Sequence, residues 1–350
     1  MQDRKTSQPS SSARTSRRDV LAMSLALGAA GLAASLSGGL TGCAQSKPKL
    51  GGAADVRVRP PLRVALMQTS LARTLQGDLT NFARTARTLH QARAIGYAST
   101  LWTEQARELR LLRTLSQAAK DEGVTPLLLQ VDDEGLLGDA DRAARTRAVV
   151  AHHKWADAAK ALSCEALVVR PGAIGQLTSQ ADQLSDGLAS LSNYTAQLGL
   201  RLLVRNGGVS GALSTNPVWL TGVLRRFDSS AVAGLADFEA LAEGARERDS
   251  RADEAMRVQM PFSAAIATQG VTSSALPELP TRASASPASM LRASLEDAIA
   301  GRGESRYAPF RGYVLIDAQE PSASAEDRTI TATRELIEAI VKRYRDGLIS

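Results

Sequence analysis

The sequence predicts an α/β chain folded as a closed (β/α)8 barrel, and three observations carry that expectation. Eight short apolar runs recur along the chain after residue 60, each followed by a longer stretch with apolar residues at helical spacing. The runs are too uniformly apolar for a sheet with one wet face, which argues for parallel strands covered by helices. Eight is the number that closes such a sheet on itself, and about 290 residues is a fitting length. An open doubly wound sheet is the alternative that the same pattern leaves standing.

The expected strands are Leu62–Gln68, Tyr97–Trp102, Thr125–Val131, Ala166–Arg170, Leu200–Arg205, Ala231–Leu235, Pro261–Thr268 and Gly312–Asp317. The second and sixth are the least apolar. Helical periodicity is clear over 104–122, 141–162, 178–198 and 327–346, where Ile330, Thr333, Leu336, Ile337, Ile340 and Val341 form one stripe. Residues 272–289, rich in Ser, Ala and Pro, read as a long loop after the seventh strand.

The chain's first 42 residues have the parts of an export signal. A polar head with Arg4, Lys5, Arg14, Arg17 and Arg18 precedes an apolar core from Val20 to about Leu36. That core is short and Gly-rich for a membrane-spanning helix. Ser16-Arg17-Arg18-Asp19-Val20-Leu21 resembles a twin-arginine motif, and Leu40-Thr41-Gly42-Cys43 resembles a lipobox, whose cysteine is acylated. These features predict a twin-arginine lipoprotein signal over 1–42, a flexible tether over 43–60 and a barrel over 61–350. The product would be exported and held in the bacterial cell envelope by a lipid on Cys43.

The charge balance excludes little. The signal carries five Lys or Arg against two Asp or Glu, so removing its +3 from the chain's +6 leaves an ordinary surface of about +3. No basic stripe with interleaved aromatics points to nucleic acid. With Cys43 lipidated only Cys164 remains, so no intramolecular disulfide can form and stability must come from a core.

Several segments, in collinear order, resemble the sugar-phosphate isomerase/epimerase family, the xylose isomerase-like TIM barrels. They are Asp121-Glu122-Gly123-Val124 before the third strand and Asp132-Asp133-Glu134-Gly135 with Leu137-Gly138-Asp139 after it. His152-His153-Lys154-Trp155 opens a helix stretch of the family's kind. Asn206-Gly207-Gly208 with Ser214-Thr215-Asn216-Pro217-Val218-Trp219, and Ala236-Asp237-Phe238, complete the series. The resemblance implies a mouth at the C-terminal ends of the strands, where active members hold a divalent metal. Its ligands there are a Glu after strand five, an Asp after strand six, a His after strand seven and a Glu after strand eight. Carboxylates of that set move protons between neighbouring sugar carbons while the cation polarises the substrate.

At those positions this chain departs from the family. The fifth-strand pattern Val-Glu-Asn-His-Gly is here Val204-Arg205-Asn206-Gly207-Gly208, the sixth-strand Asp is matched by Asp237, and the eighth-strand Glu is replaced by Asp317. The seventh strand ends Ala267-Thr268-Gln269-Gly270 with no histidine; His90, His152 and His153, the only histidines, all fall on expected helices. Placement on a helix feeding the fourth strand puts His152 and His153 at the outer, lower side of the barrel. An arginine offers a metal no lone pair and repels a cation, so the expectation is no metal and no cofactor. A guanidinium held by Asp237 and Asp317 would stand in the cation's place. Arg205, Asn206, Asp237, Gln269 and Asp317 are the candidate ligand-binding residues. The expected function is binding of a small polar ligand, such as a sugar, or of a partner protein. The alternatives are a sugar isomerase or epimerase with an altered, metal-free site using Asp237 or Asp317 as base, and a structural envelope lipoprotein.

Overall fold

The structure is a computed structural model that describes residues 60–102, 108–173, 176–207, 214–272, 286–302 and 308–349. The expected signal peptide, Arg17, Arg18, Cys43 and nearly all of the tether lie outside the described residues. Strands β1 (Leu62–Met67), β2 (Ala94–Ala98), β3 (Thr125–Gln130), β4 (Ala166–Val169), β5 (Arg201–Arg205), β6 (Val232–Asp237), β7 (Ser263–Thr268) and β8 (Gly312–Ile316) form one closed parallel barrel in chain order. The seam closes between β1 and β8 in continuous register, from Leu62 opposite Gly312 to Leu66 opposite Ile316.

Around it the described α-helices are α1 (Ala72–Leu75), α2 (Phe82–His90), α3 (Leu109–Asp121), α4 (Arg142–Ala161), α5 (Leu177–Gln197), α6 (Pro217–Leu224), α7 (Phe238–Glu247), α8 (Ala252–Gln259), α9 (Pro287–Ala300) and α10 (Ala323–Arg345). Their starts follow from local chemistry. The Asp141 side chain accepts from the Ala143 and Ala144 amides, and Asn216 does the same for Val218 and Trp219 ahead of Pro217. Each satisfies donors that the first helical turn leaves open.

The barrel interior is filled by small and medium residues on alternate strand positions. Ala65, Met67, Ala98, Leu128, Val168, Leu203, Leu235 and Leu315 are among them. Gly96 marks how tightly the layers meet: a Cβ there would fall 2.4 Å from Met67 Sδ and 2.9 Å from Leu128 Cδ1. Outside the barrel a chain of edge-on rings, Phe82–Tyr97–Trp102–Trp155, pins α2 and α4 to β2 with centroid spacings of 5.7, 6.3 and 5.6 Å.

Some boundaries differ from those the sequence predicts. The second strand is Ala94–Ala98 rather than Tyr97–Trp102; Ser99–Leu101 is a 3-10 turn. Ala94 and Gly96 give little apolar signal, whereas Tyr97 and Trp102 owe theirs to the ring cluster. The sixth strand continues to Asp237, past the expected end at Leu235, because β7 pairs with it up to Ala267. Of the loop expected over 272–289, residues 273–285 lie outside the described residues, and its last part is helical: Ser286 caps α9, and Pro287 occupies its first turn.

His152 is placed differently from the sequence expectation. His152 is mid-helix in α4, bonded through Nδ1 to the Ala148 carbonyl at 2.7 Å, and lines a small cavity with Val131, Asp133 and Glu134. These residues follow β3, so His152 lies toward the mouth side and not at the lower end. His153 stacks flat on Tyr194 of α5, with ring centroids 3.7 Å apart.

Candidate functional site at the barrel mouth

Five polar side chains end the strands or follow them directly: Gln130 (β3), Arg170 (after β4), Arg205 (β5), Asp237 (β6) and Asp317 (after β8). Barrel closure turns these strand ends toward one opening. Arg205, only 3% exposed, is the hub. Its Nε donates to Asp237 Oδ2 at 2.8 Å and its Nη1 to Asp317 Oδ2 at 2.5 Å. Nη1 also donates to Gln130 Oε1. Burial pushes the guanidinium toward losing its charge, but Asp237 and Asp317 outweigh that and hold its pKa above the usual arginine range.

The two aspartates are committed on their far oxygens as well. Asp237 Oδ1 accepts from the Ala240 amide at 3.0 Å, capping α7, and Asp317 Oδ1 accepts from Thr69 Oγ1. Every carboxylate oxygen of the pair therefore has a protein donor. The donor set does not fit a divalent cation, which needs free lone pairs and would sit against a buried positive charge. Among the described residues there is no group of three or more His, Cys, Asp or Glu side chains placed to hold a metal ion.

A second ring of contacts fixes the hub. Gln130 Nε2 donates to Asp132 Oδ2 at 2.9 Å. Arg170 donates from Nε to Asp132 Oδ1 at 2.9 Å and from Nη1 to the Asn206 carbonyl at 2.8 Å, and that same Nη1 lies 3.9 Å from Asp237 Oδ2. Above the hub opens a cavity of about 440 Å³ whose walls include Arg170, Arg205, Asp237, Glu239, Gln269 and Gln319.

Of the residues expected to meet a ligand, the structure brings Arg205, Asp237 and Asp317 into one network and puts Gln269 on the cavity wall. Asn206 is placed differently. It is fully buried and its amide is engaged with Gln259, donating from Nδ2 to Oε1 at 2.7 Å and accepting from Nε2 in return. It ties β5 to the end of α8 and shows the cavity no free amide.

Glu239 is among the residues that the sequence reading missed. It stands in the first turn of α7, its Oε1 accepting from Thr268 Oγ1 at 2.7 Å. Burial, then the nearby Asp237 charge, push its pKa up to about 7 against partial relief from Thr268 and the Gln269 amide. In the sequence it looks like an ordinary acidic residue at a helix start. Arg170 and Gln130 were missed as well, although a signal existed: each is a polar residue closing an apolar run, Leu167-Val168-Val169 and Leu127-Leu128-Leu129.

No protein-family model matches the sequence, and no curated protein matches it. Solved structures do resemble it. A structure of L-ribulose 3-epimerase is 13% identical with a TM-score of 0.61, covering 83% of this chain and 98% of that one. A D-tagatose 3-epimerase-like protein is 13% identical with a TM-score of 0.59, covering 82% and 99%. A putative xylose isomerase from Rhodospirillum rubrum is 14% identical with a TM-score of 0.58, covering 79% and 99%. At these identities the likeness speaks to architecture, and it is consistent along nearly the whole of each neighbour. The chain therefore has the closed (β/α)8 barrel fold shared by the xylose isomerase-like sugar isomerases and epimerases.

Proposed function

We propose that this chain is an exported, lipid-anchored barrel that binds a small polar ligand, such as a sugar, without metal-dependent isomerase chemistry. The observation that carries the reading is Arg205, buried and bonded to Asp237 and Asp317 at the place where the family resemblance puts a cation. A fixed guanidinium supplies positive charge and hydrogen-bond donors, but it cannot take a substrate oxygen into a coordination shell. The cavity above it has the size of a small-ligand site. Asp237, Glu239, Glu243 and Glu247 outnumber Arg170 and Arg205 on its walls. That balance favours an uncharged polyol over a sugar acid, since like charges repel strongly at a partly desolvated site.

A metal-free isomerase or epimerase is the second reading, and Glu239 is what favours it. Both oxygens of Asp237 and of Asp317 already accept from protein donors, whereas a carboxyl with a pKa near 7 suits proton transfer at neutral pH. A thermal-shift screen of the metal-free protein against neutral sugars and sugar acids tests the first reading. Stabilisation by at least one neutral sugar, lost in Gln269→Ala, supports it; stabilisation by none overturns it. Solvent deuterium appearing on a sugar carbon during incubation in heavy water would favour the second.

A further inference from the structure

A second cavity, of about 540 Å³, lies between α7, α8 and the start of α9, and its character is the opposite of the first. Phe238, Ala242, Ala252, Pro287 and Met290 give it walls of carbon. Its volume and mostly apolar lining are those of small-molecule sites.

Two residues, Glu239 and Gln269, line both this cavity and the polar one at the mouth. Glu239 uses Oε1 to accept from Thr268, while its Oε2 is buried and makes no hydrogen bond. The Glu239 and Gln269 side chains are where the polar and the apolar cavity meet.

We infer that the ligand is an amphiphile of glycoside type: a polyhydroxy head at the mouth, a linkage passing Glu239 and Gln269, and an apolar substituent among Phe238, Ala242, Ala252 and Met290. This rests on the reading of the mouth as a site for a neutral polar ligand, and it adds what such a ligand carries. Arg246 and Arg251 at the rim of the apolar cavity leave room for a substituent of alkyl or aromatic kind that ends near water.

The experiment is calorimetric titration of the full chain with methyl and octyl glycosides of glucose, galactose and mannose, the octyl compounds below their micelle concentration. At least one octyl glycoside should bind tenfold or more tighter than its methyl counterpart. Ala242→Trp, which fills the apolar cavity, should erase that gain and leave methyl glycoside affinity unchanged; Met290→Trp does the same should Ala242→Trp fold poorly. A methyl glycoside that binds as well as its octyl partner overturns this inference alone. So does a gain that survives both substitutions, or an octyl chain on a zwitterionic head that binds equally well. If no glycoside binds, the reading of the mouth as a sugar site falls and this inference falls with it.

Discussion

Arg205 Nη1 donates to Asp317 Oδ2 at 2.5 Å, joining β5 to the end of β8 across the barrel mouth. With the 2.8 Å bond to Asp237, it makes one guanidinium the partner of two carboxylates, a geometry that its planar fork of donors suits. Both side chains of each pair are nearly inaccessible to water. The network therefore belongs among buried ion pairs, where removing one partner is expensive because a charge is stranded.

Arg205→Met should accordingly destabilise the protein by about 3–5 kcal/mol, as breaking a buried pair does. Urea denaturation measures it. Arg205→Glu should be worse, with three carboxylates facing one another, and millimolar Mn²⁺ or Mg²⁺ should recover part of the loss by binding the folded form. A neutral Arg205→Glu protein that ignores both metals would show that the network carries no charge coupling.

Chelation of the unmodified protein should leave its melting temperature unchanged. All four oxygens of Asp237 and Asp317 already accept from protein donors. A fall of several degrees in excess EDTA, reversed by one equivalent of Zn²⁺ or Mn²⁺, would contradict the assignment.

Glu239 makes stability depend on pH with a definite sign. Its folded pKa of about 7 lies above the ordinary 4.5, so the folded state binds more protons than the unfolded state between those values. Stability attributable to this group is therefore full below about pH 4.5 and declines as pH rises through 7. Glu239→Gln should remove that decline, gaining up to about 3 kcal/mol over the parent at pH 8 relative to pH 5. His152 acts in the other direction: burial lowers its pKa, so its effect is a loss of stability on acidification below about 6.5. Melting curves of parent and Glu239→Gln at pH 5, 6, 7 and 8 separate the two. Parallel pH profiles would show that Glu239 titrates normally.

The proposed export route makes its own predictions. Cys43→Ser should release the protein from membranes or leave it unprocessed, and Arg17→Lys combined with Arg18→Lys should block export. Fractionation followed by immunoblotting decides both. Normal cleavage and unchanged membrane association of Cys43→Ser would exclude a lipid at that position.

Much of the site was legible through the family resemblance, which set Arg205, Asp237 and Asp317 at the strand ends where the family's ligands stand. Arg205 and Asp317 end or follow apolar runs, and a closed barrel brings such ends to one opening whatever lies between them. What the sequence hid were directions of side chains. Asn206 shares Arg205's strand end but is turned onto Gln259, and one residue of offset sends neighbours to opposite faces. Glu239 was hidden by resembling a helix-start acid; only the approach of Thr268 from the next strand reveals its burial. The second strand was displaced for a similar reason, since Tyr97 and Trp102 take their apolar character to the ring cluster outside the barrel.

The span of the Arg205–Asp317 contact has a consequence for how the chain reaches its final state. The two residues are 112 positions apart, and Asp317 follows the last strand of the barrel to be synthesised. Until β8 docks between β7 and β1, those two strands keep open edges, and Arg205 is neutralised on one side only. Closing the sheet and balancing the charge are thus one event. A chain that stops short of β8 leaves Arg205 without its Asp317 partner. The mouth that would receive a ligand thereby also rewards the barrel for being finished.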